Sequence, residues 1–446
     1  MAILSPKHLK GHNNMTPPLQ IRFPLLSVMM IITMFTSSCN KPEDITYICQ
    51  DSLGCVDIGP DEPLQIGVLQ ALTGAVGPLG QAQIRGLELA MESRDNMLFD
   101  HPISLQIEDT GCSPEGGANA ALKVIADPQM IAIFGTTCSG AAATASKAMS
   151  SAGMVMVSGN NSAPFLTSIA GENAPDWQDG YFRTAFNEEN AGQVAAEYAS
   201  VKLGFSKAAV MHDNDIYTRG LVDSFSKGFK ELGGAIVLST AVNKGDTEMQ
   251  PVLEAVANSG AELLFFPLFQ PEGNRILAQA REMEAMEDII LMSDGALIQE
   301  SFLADVGELA IGMYFVGPAK PEGPGVEKMS ARYVKKYKED PVVSYYLSGH
   351  DAAVLLFYAI EKTAVHSEDG SLHIPRQALR DTLYSITALD GVTGTLSCNA
   401  FGDCALPAFN VLRLANPTQG LNGLEQNVVY TNKKIHSPRT TKATSQ

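Results

Sequence analysis

Positive charge is scarce in this chain. Its 31 Lys and Arg face 49 Asp and Glu, a formal net charge of −18. With no basic stripe to displace counterions from phosphate, nucleic acid is excluded as a partner. Phosphate cradles are missing as well: the glycine-rich "QALTGAVGPLGQ" is neither GxGxxG nor GxxxxGK[ST]. It reads as a turn that lets backbone approach a ligand. There is no CxxC and no His at ligand spacing beside a cysteine, which argues against zinc. No G-x-S-x-G occurs, so no serine sits in a nucleophile elbow, and none of the eight His pairs with Ser or Cys at a recognisable catalytic spacing. No cofactor and no metal are expected. Nor is any apolar run long enough to span a bilayer, which takes roughly 20 residues.

What is present is globular: 446 residues, 45% hydrophobic and 18% charged, enough for two lobes with their own cores. The N-terminus carries an export address. Lys7, Lys10 and Arg22 precede the short apolar run "FPLLSVMMIITMF" at 23–35, a signal h-region. "TSSC" follows and resembles a bacterial lipobox, which implies lipidation of Cys39; Thr36 stands where that motif usually has Leu. The plain alternative is a secretory signal. Met15 gives a more usual signal length than Met1.

Export makes disulfides the expected fate of the other six cysteines. Six allow fifteen pairings, and spacing favours one. Cys49/Cys55 and Cys398/Cys404 close short loops containing Gly, leaving Cys112 for Cys138.

Residues 40–63 are polar with Pro and Gly and read as a tether. From residue 64, short apolar runs alternate with stretches of helical period. Strands are expected at 65–70, 103–109, 130–135, 154–158, 207–212, 235–241, 262–268, 289–293 and 312–316. Helices fall between them at 80–97, 115–127, 139–152, 188–203, 217–232, 248–259 and 272–285. Chained β-α units predict parallel sheets with helices on both faces. "ELGG" at 231–234 should end one helix, and Asp246-Thr247 should cap another. After the hinge-like "PAKPEGPG", helices are expected at 325–338, 346–366 and 375–386. "GTLSCNAFGDCALPAFNVLRL" reads as a β-hairpin with Cys398–Cys404 across its turn. The tail from about 432 reads as disordered.

Ligands of open α/β sheets bind beyond the carboxyl ends of the strands. The turn "GTTCSG" places Cys138 and Ser139 at a helix N-terminus. A nucleophilic Cys138 would need a thiolate and a base, and export with Cys112 nearby opposes a free thiol. The free N–H groups and the Ser139 hydroxyl suit a carboxylate instead. Asn160, Asn161 and Ser162 follow the next strand, either as a helix cap or as ligand contacts. His212, Asp213, Asn214 and Asp215 fail the EF-hand pattern. Tyr217 and Phe269 suit cleft walls. Asp294, at a strand end, either caps a helix or faces an ammonium group. The whole complements an α-amino acid.

Seven segments in order carry a resemblance: "LTGAVGPLGQ", "EDTGCSPEGGANAALKVIAD", "IAIFGTTCSGAAA", "GNNSAPFLT", "HDNDIYTRGL", "FFPLFQPEGNRILAQAR" and "LMSDGAL". Over about 64–430 the chain resembles the Leu/Ile/Val-binding proteins of branched-chain amino acid ABC transporters. The resemblance implies two doubly wound α/β lobes of the type I periplasmic binding fold, joined by a multi-strand hinge. It implies a signal peptide over 1–38, a tether over 39–63, lobe I from 64–184 plus 318–407, lobe II from 185–317 plus 408–431, and a tail over 432–446. A Cys112–Cys138 disulfide is implied too. Ser139 and Ser162 would hold the ligand's carboxylate and ammonium, with backbone help from Asn160 and Asn161. Tyr217 and Phe269 would close from lobe II, and Asp294 would meet the ammonium. Leu79 stands where those binders have an aromatic. Phe269 replaces a Tyr, Asp294 a Glu, and Asn160-Asn161 small apolar residues. The implied function is a monomeric, lipid-anchored, non-catalytic binder at the periplasm or cell surface. It would deliver an amino acid to an ABC permease and its ATPases. A sensor built on the same fold, or an exported Cys/Ser hydrolase, are the rivals.

Overall fold

The computed structural model describes residues 47–432. The expected signal, lipidated Cys39, start codon and terminal tail lie outside the described residues.

The apolar runs become strands of two separate sheets. In the first, the order is Met97–Leu98, His101–Asp109, Leu64–Gln70, Met130–Gly135, Met156–Ser158, Tyr181–Arg183. All neighbours are parallel except the first pair. Met130–Gly135 is buried along its whole length, as a parallel strand covered on both faces must be. In the second sheet the order is Ala235–Ala241, Lys207–His212, Leu263–Phe265, Ile290–Asp294, Tyr314–Pro318, Phe409–Arg413, Val428–Thr431. Its first five strands are parallel and its last two antiparallel.

Helix Gly77–Glu92 packs on the late helix Tyr346–Thr363, so the chain beyond residue 320 returns to the first lobe. It then leaves again for Phe409–Arg413. Three passes therefore join the lobes, after Arg183, after Pro318 and between Leu396 and Phe409. Several parallel crossings confine relative motion to a hinge.

Most elements fall where periodicity puts them, and the exceptions come from side chains engaged elsewhere or from pairing with distant segments. The expected hairpin over 394–414 forms only around its turn, where Leu396 bridges Ala405 antiparallel with Cys398–Cys404 between them, and its arms then part. Thr395–Leu396 pairs with Leu389–Asp390, whereas Phe409–Arg413 pairs with Tyr314–Pro318 in the other lobe. Asp246 does not cap the following helix. Its carboxylate takes the Asn243 N–H, and the helix starts at Gln250 without a side-chain cap. The segment read as a tether is partly folded, because Cys55–Ile58 pairs antiparallel with Leu372–Pro375. The helix end at "ELGG" is observed, with Gly233 at φ 89 just past Glu231. All three expected disulfides are present: Cys49–Cys55, Cys112–Cys138 and Cys398–Cys404.

Candidate functional site

The two lobes meet across a cleft at the carboxyl ends of their strands. A small cavity there, of about 300 Å³, is lined by Leu79, Thr137, Ser139, Asn160, Ser162, Tyr217, Phe269, Ala296 and Tyr345. Six of the eight residues expected from sequence are thus brought together. Asn161 and Asp294 do not line it.

The first-lobe wall is built from the turns after two adjacent strands. Cys138 stands at the N-cap of helix Ser139–Ser151 in extended conformation, and no side chain caps that helix. A cysteine locked to Cys112 has no oxygen to offer, so the first N–H groups stay available. Ser139 Oγ accepts the Ala163 N–H at 3.2 Å, which leaves its own hydrogen to donate. Thr137 Oγ1 accepts from Ala71 N and donates to Gln70. Asn160 Nδ2 holds the Thr137 carbonyl at 2.9 Å.

Asn161 is spent on structure. Its Oδ1 accepts from Thr136 N and the Tyr181 hydroxyl, its Nδ2 donates to Thr136 Oγ1, and its backbone N–H goes to Ser158 Oγ. The backbone N–H of Asn160 also goes to Ser158 Oγ. The expected ligand contacts from these two N–H groups are therefore already used within the fold.

Beneath this wall lies Arg183, fully buried. Its Nε pairs with Asp403 at 2.6 Å, and its Nη1 donates to the carbonyls of Asn161 and Ala163. Asp403 sits inside the Cys398–Cys404 loop. At Gly402, φ is 93 and a Cβ would stand 2.0 Å from the Tyr181 carbonyl, so only glycine fits. The short staple thus supports the turn that carries Ser162.

The second-lobe wall is different. Tyr217, in the first turn of helix Ile216–Glu231, stacks near Phe269 with ring centroids 5.0 Å apart. Its hydroxyl donates to Asp294, which is 0% exposed behind it. Glu188 stands nearby, also buried. Burial pushes both carboxyls above the usual carboxylate range, and the Asp294 charge raises Glu188 further. Burial likewise raises the Tyr217 phenol, helped by Asp294. One wall therefore offers donors, and the other offers aromatic surface and a tyrosine hydroxyl backed by buried carboxyls.

Sequence reasoning missed Thr137, Ala296, Tyr345 and Glu188. Thr137 lay in the quoted "GTTC" turn. Glu188 and Tyr345 stand at the starts of helices that the periodicity placed at 188–203 and 346–366, and nothing in either stretch marks them as facing the cleft. No group of His, Cys, Asp and Glu among the described residues could hold a metal. No helix among them is long and apolar enough to cross a membrane.

Known proteins resemble this chain in sequence and fold. Leu/Ile/Val-binding protein homolog 3 of Brucella melitensis is 26% identical over 352 residues, covering 78% of this chain and 91% of that protein. The leucine-specific-binding protein of Salmonella typhimurium is 23% identical over 349 residues, covering 77% and 88%. Among solved structures, the leucine binding protein LivK of Thermotoga maritima matches with a TM-score of 0.69 at 22% identity, over 79% of this chain and 96% of that one. A solute binding protein of R. palustris in complex with benzoate matches at 0.67 and 21% identity, over 79% and 93%. These structures establish the fold as that of such binders. Residues 63–402 match the family model described as periplasmic binding protein, and the chain belongs to that family of non-catalytic binding proteins.

Proposed function

We propose that this chain is the extracytoplasmic solute-binding component of an ABC importer. It is anchored through a lipid on Cys39 and captures an amino acid, branched-chain or similar, between lobe I (64–184 plus 318–407) and lobe II (185–317 plus 408–431). The closed form then passes the ligand to a permease driven by ATPases. The relatives named for Leu, Ile and Val binding support this reading.

One observation carries it: donors line one side of the small cavity, and a tyrosine hydroxyl backed by a buried carboxyl lines the other. The uncapped helix N-terminus and the Ser139 hydroxyl suit the ligand's carboxylate. Opposite, Tyr217 gives its hydrogen to Asp294. The Tyr217 oxygen is then left as an acceptor for an ammonium group, with the Asp294 charge behind it. Asp294 acts through the tyrosine, because it is buried out of the lining. A bare aromatic acid, as in the benzoate complex, would leave that acidic pair without a partner. Because the contacts are divided between lobes, ligand shifts the population toward the closed state.

A thermal-shift screen over α-amino acids tests the reading. Binding to the folded state raises the midpoint with the logarithm of the ligand excess over Kd. At least one α-amino acid should raise it. A rise with benzoates alone would overturn the amino-acid assignment.

A further inference from the structure

The lobes also touch outside the ligand cavity. Helix Ile216–Glu231 of the second lobe packs on the turn Pro164–Leu166 and on helix Ser139–Ser151 of the first. Two glycines, one in each lobe, set the distance. At Gly220 a Cβ would stand 2.9 Å from Pro164 Cδ and 3.5 Å from the Phe165 ring. Its three nearest atoms thus all belong to the other lobe. At Gly140 a Cβ would stand 2.9 Å from Asp215 Oδ2, and there too the three nearest atoms lie across the cleft, all in that one carboxylate. Gly220, Pro164 and Phe165 are not among the residues that line the ligand cavity.

Neither opposing group is free to yield. Asp215 is pinned: its Oδ1 caps its own helix through the Tyr217 N–H, and its Oδ2 takes Lys244 Nζ at 2.9 Å. Its charge also lies beside the first turn of helix Ser139–Ser151, where a helix favours an anion. Pro164 is a closed ring at the start of its short turn, with its φ fixed by covalent geometry. Contacting carbons rest about 3.5–4.0 Å apart, so a methyl group at 220 would push the lobes apart. Glycine inside a helix destabilises it relative to alanine. Nothing in its own lobe comes nearer to position 220 than Pro164 and Phe165 do, so the reason for a glycine there lies in the other lobe.

We infer that Gly220 against Pro164, and Asp215 against Gly140, form a closure seam: a direct lobe-to-lobe contact that sets how far the closed form is populated and so scales affinity for every ligand alike. These are positioning residues, and the inference rests on the solute-binding reading above. The apparent Kd rises as the binding-competent fraction falls. A seam that fits less well therefore weakens all ligands by one factor and leaves the preference among them unchanged.

Gly220→Ala tests the inference, by titration calorimetry with L-leucine, L-isoleucine, L-phenylalanine and benzoate and by small-angle X-ray scattering without ligand. Alanine suits a helix interior better than glycine, so the ligand-free melting temperature should hold or rise. Every probe that binds the unmodified protein should bind the variant about 10-fold or more weakly, all by the same factor. The ligand-free variant should show a larger radius of gyration. Adding Pro164→Ala removes the ring atom in the way and should bring affinity back to within about 3-fold of the unmodified protein. Unchanged affinity, a loss confined to one probe, identical scattering, or no rescue by Pro164→Ala would overturn the seam. So would a lower ligand-free melting temperature, which would place the contact in a part of the fold that never opens. Binding of benzoate alone, or of none of the four, overturns the amino-acid reading instead. The scattering then decides the seam by itself: expansion reversed by Pro164→Ala supports it, and identical profiles overturn it.

Discussion

The two walls of the cleft are built on opposite terms. The first-lobe wall is held in place before any ligand arrives: Thr137, Asn160, Asn161 and Arg183 already spend most of their hydrogen bonds on neighbouring turns, leaving the Ser139 hydroxyl and the helix N-terminus as the donors. Two of the three disulfides brace it, Cys112–Cys138 at the helix start and Cys398–Cys404 beneath Arg183. The second-lobe wall and the crossover beside it hold Asp294 and Glu188, two buried carboxyls, and the Asp294 charge raises the cost of ionising Glu188. A rigid set of donors faces an acidic surface that is incomplete until a cation arrives. The contrast separates stability from binding. Substitutions in the first wall should be felt in folding, and those in the second in affinity and pH dependence.

The largest effect should come from Asp403→Ala. It strips the partner from a fully buried guanidinium, and breaking a buried pair this way costs about 3–5 kcal/mol. Urea denaturation would read it as a lower midpoint at an unchanged slope. Replacing Cys112 and Cys138 together with Ala should cost slightly less, about 3.5 kcal/mol from the chain entropy of the loop they close. A loss well under 1 kcal/mol in either case would show that the first wall does not depend on these braces.

A smaller effect belongs to the acidic side. Glu188 and Asp294 are both raised by burial, so above the ordinary carboxylate range the folded state holds more protons than the unfolded state. Stability then falls as pH rises from that range toward neutrality and beyond. Asp294, Tyr217, Tyr345 and Arg183 are the groups that face Glu188 in this linkage. Glu188→Gln should flatten the fall. A melting temperature that drops equally with pH in both proteins would place the titration elsewhere.

Much of this architecture was readable from the amino-acid pattern, for physical reasons. Parallel strands covered on both faces must be continuous apolar runs, so Leu64–Gln70, Met130–Gly135 and Lys207–His212 stood out. Tyr181–Arg183 did not, because its buried arginine disguises a strand of three residues. The turn residues Ser139, Ser162, Tyr217 and Phe269 were found because strand ends are where ligands sit in such sheets. Asn161 was named on the same reasoning and does not line the cavity. It has the right place and chemistry, and only the fold shows that Thr136, Ser158 and Tyr181 already consume it. Glu188 and Tyr345 carry no local signal, since their positions depend on how the crossings bring distant segments together. Local spacing read Phe409–Arg413 as one arm of the hairpin, whereas it pairs with Tyr314–Pro318 in the second sheet, on the side to which the resemblance assigns 408–431.

The central claim is that the two walls hold different ends of one zwitterion. It is tested most directly by calorimetry with whichever α-amino acid the screen identifies, set against that ligand without its amine and that ligand without its carboxylate. The account predicts that each deletion weakens binding by about 100-fold or more, since each leaves one buried wall without its partner. An analogue lacking the amine that binds as tightly as the parent amino acid would contradict it, because Tyr217 and Asp294 would then have no ammonium to hold.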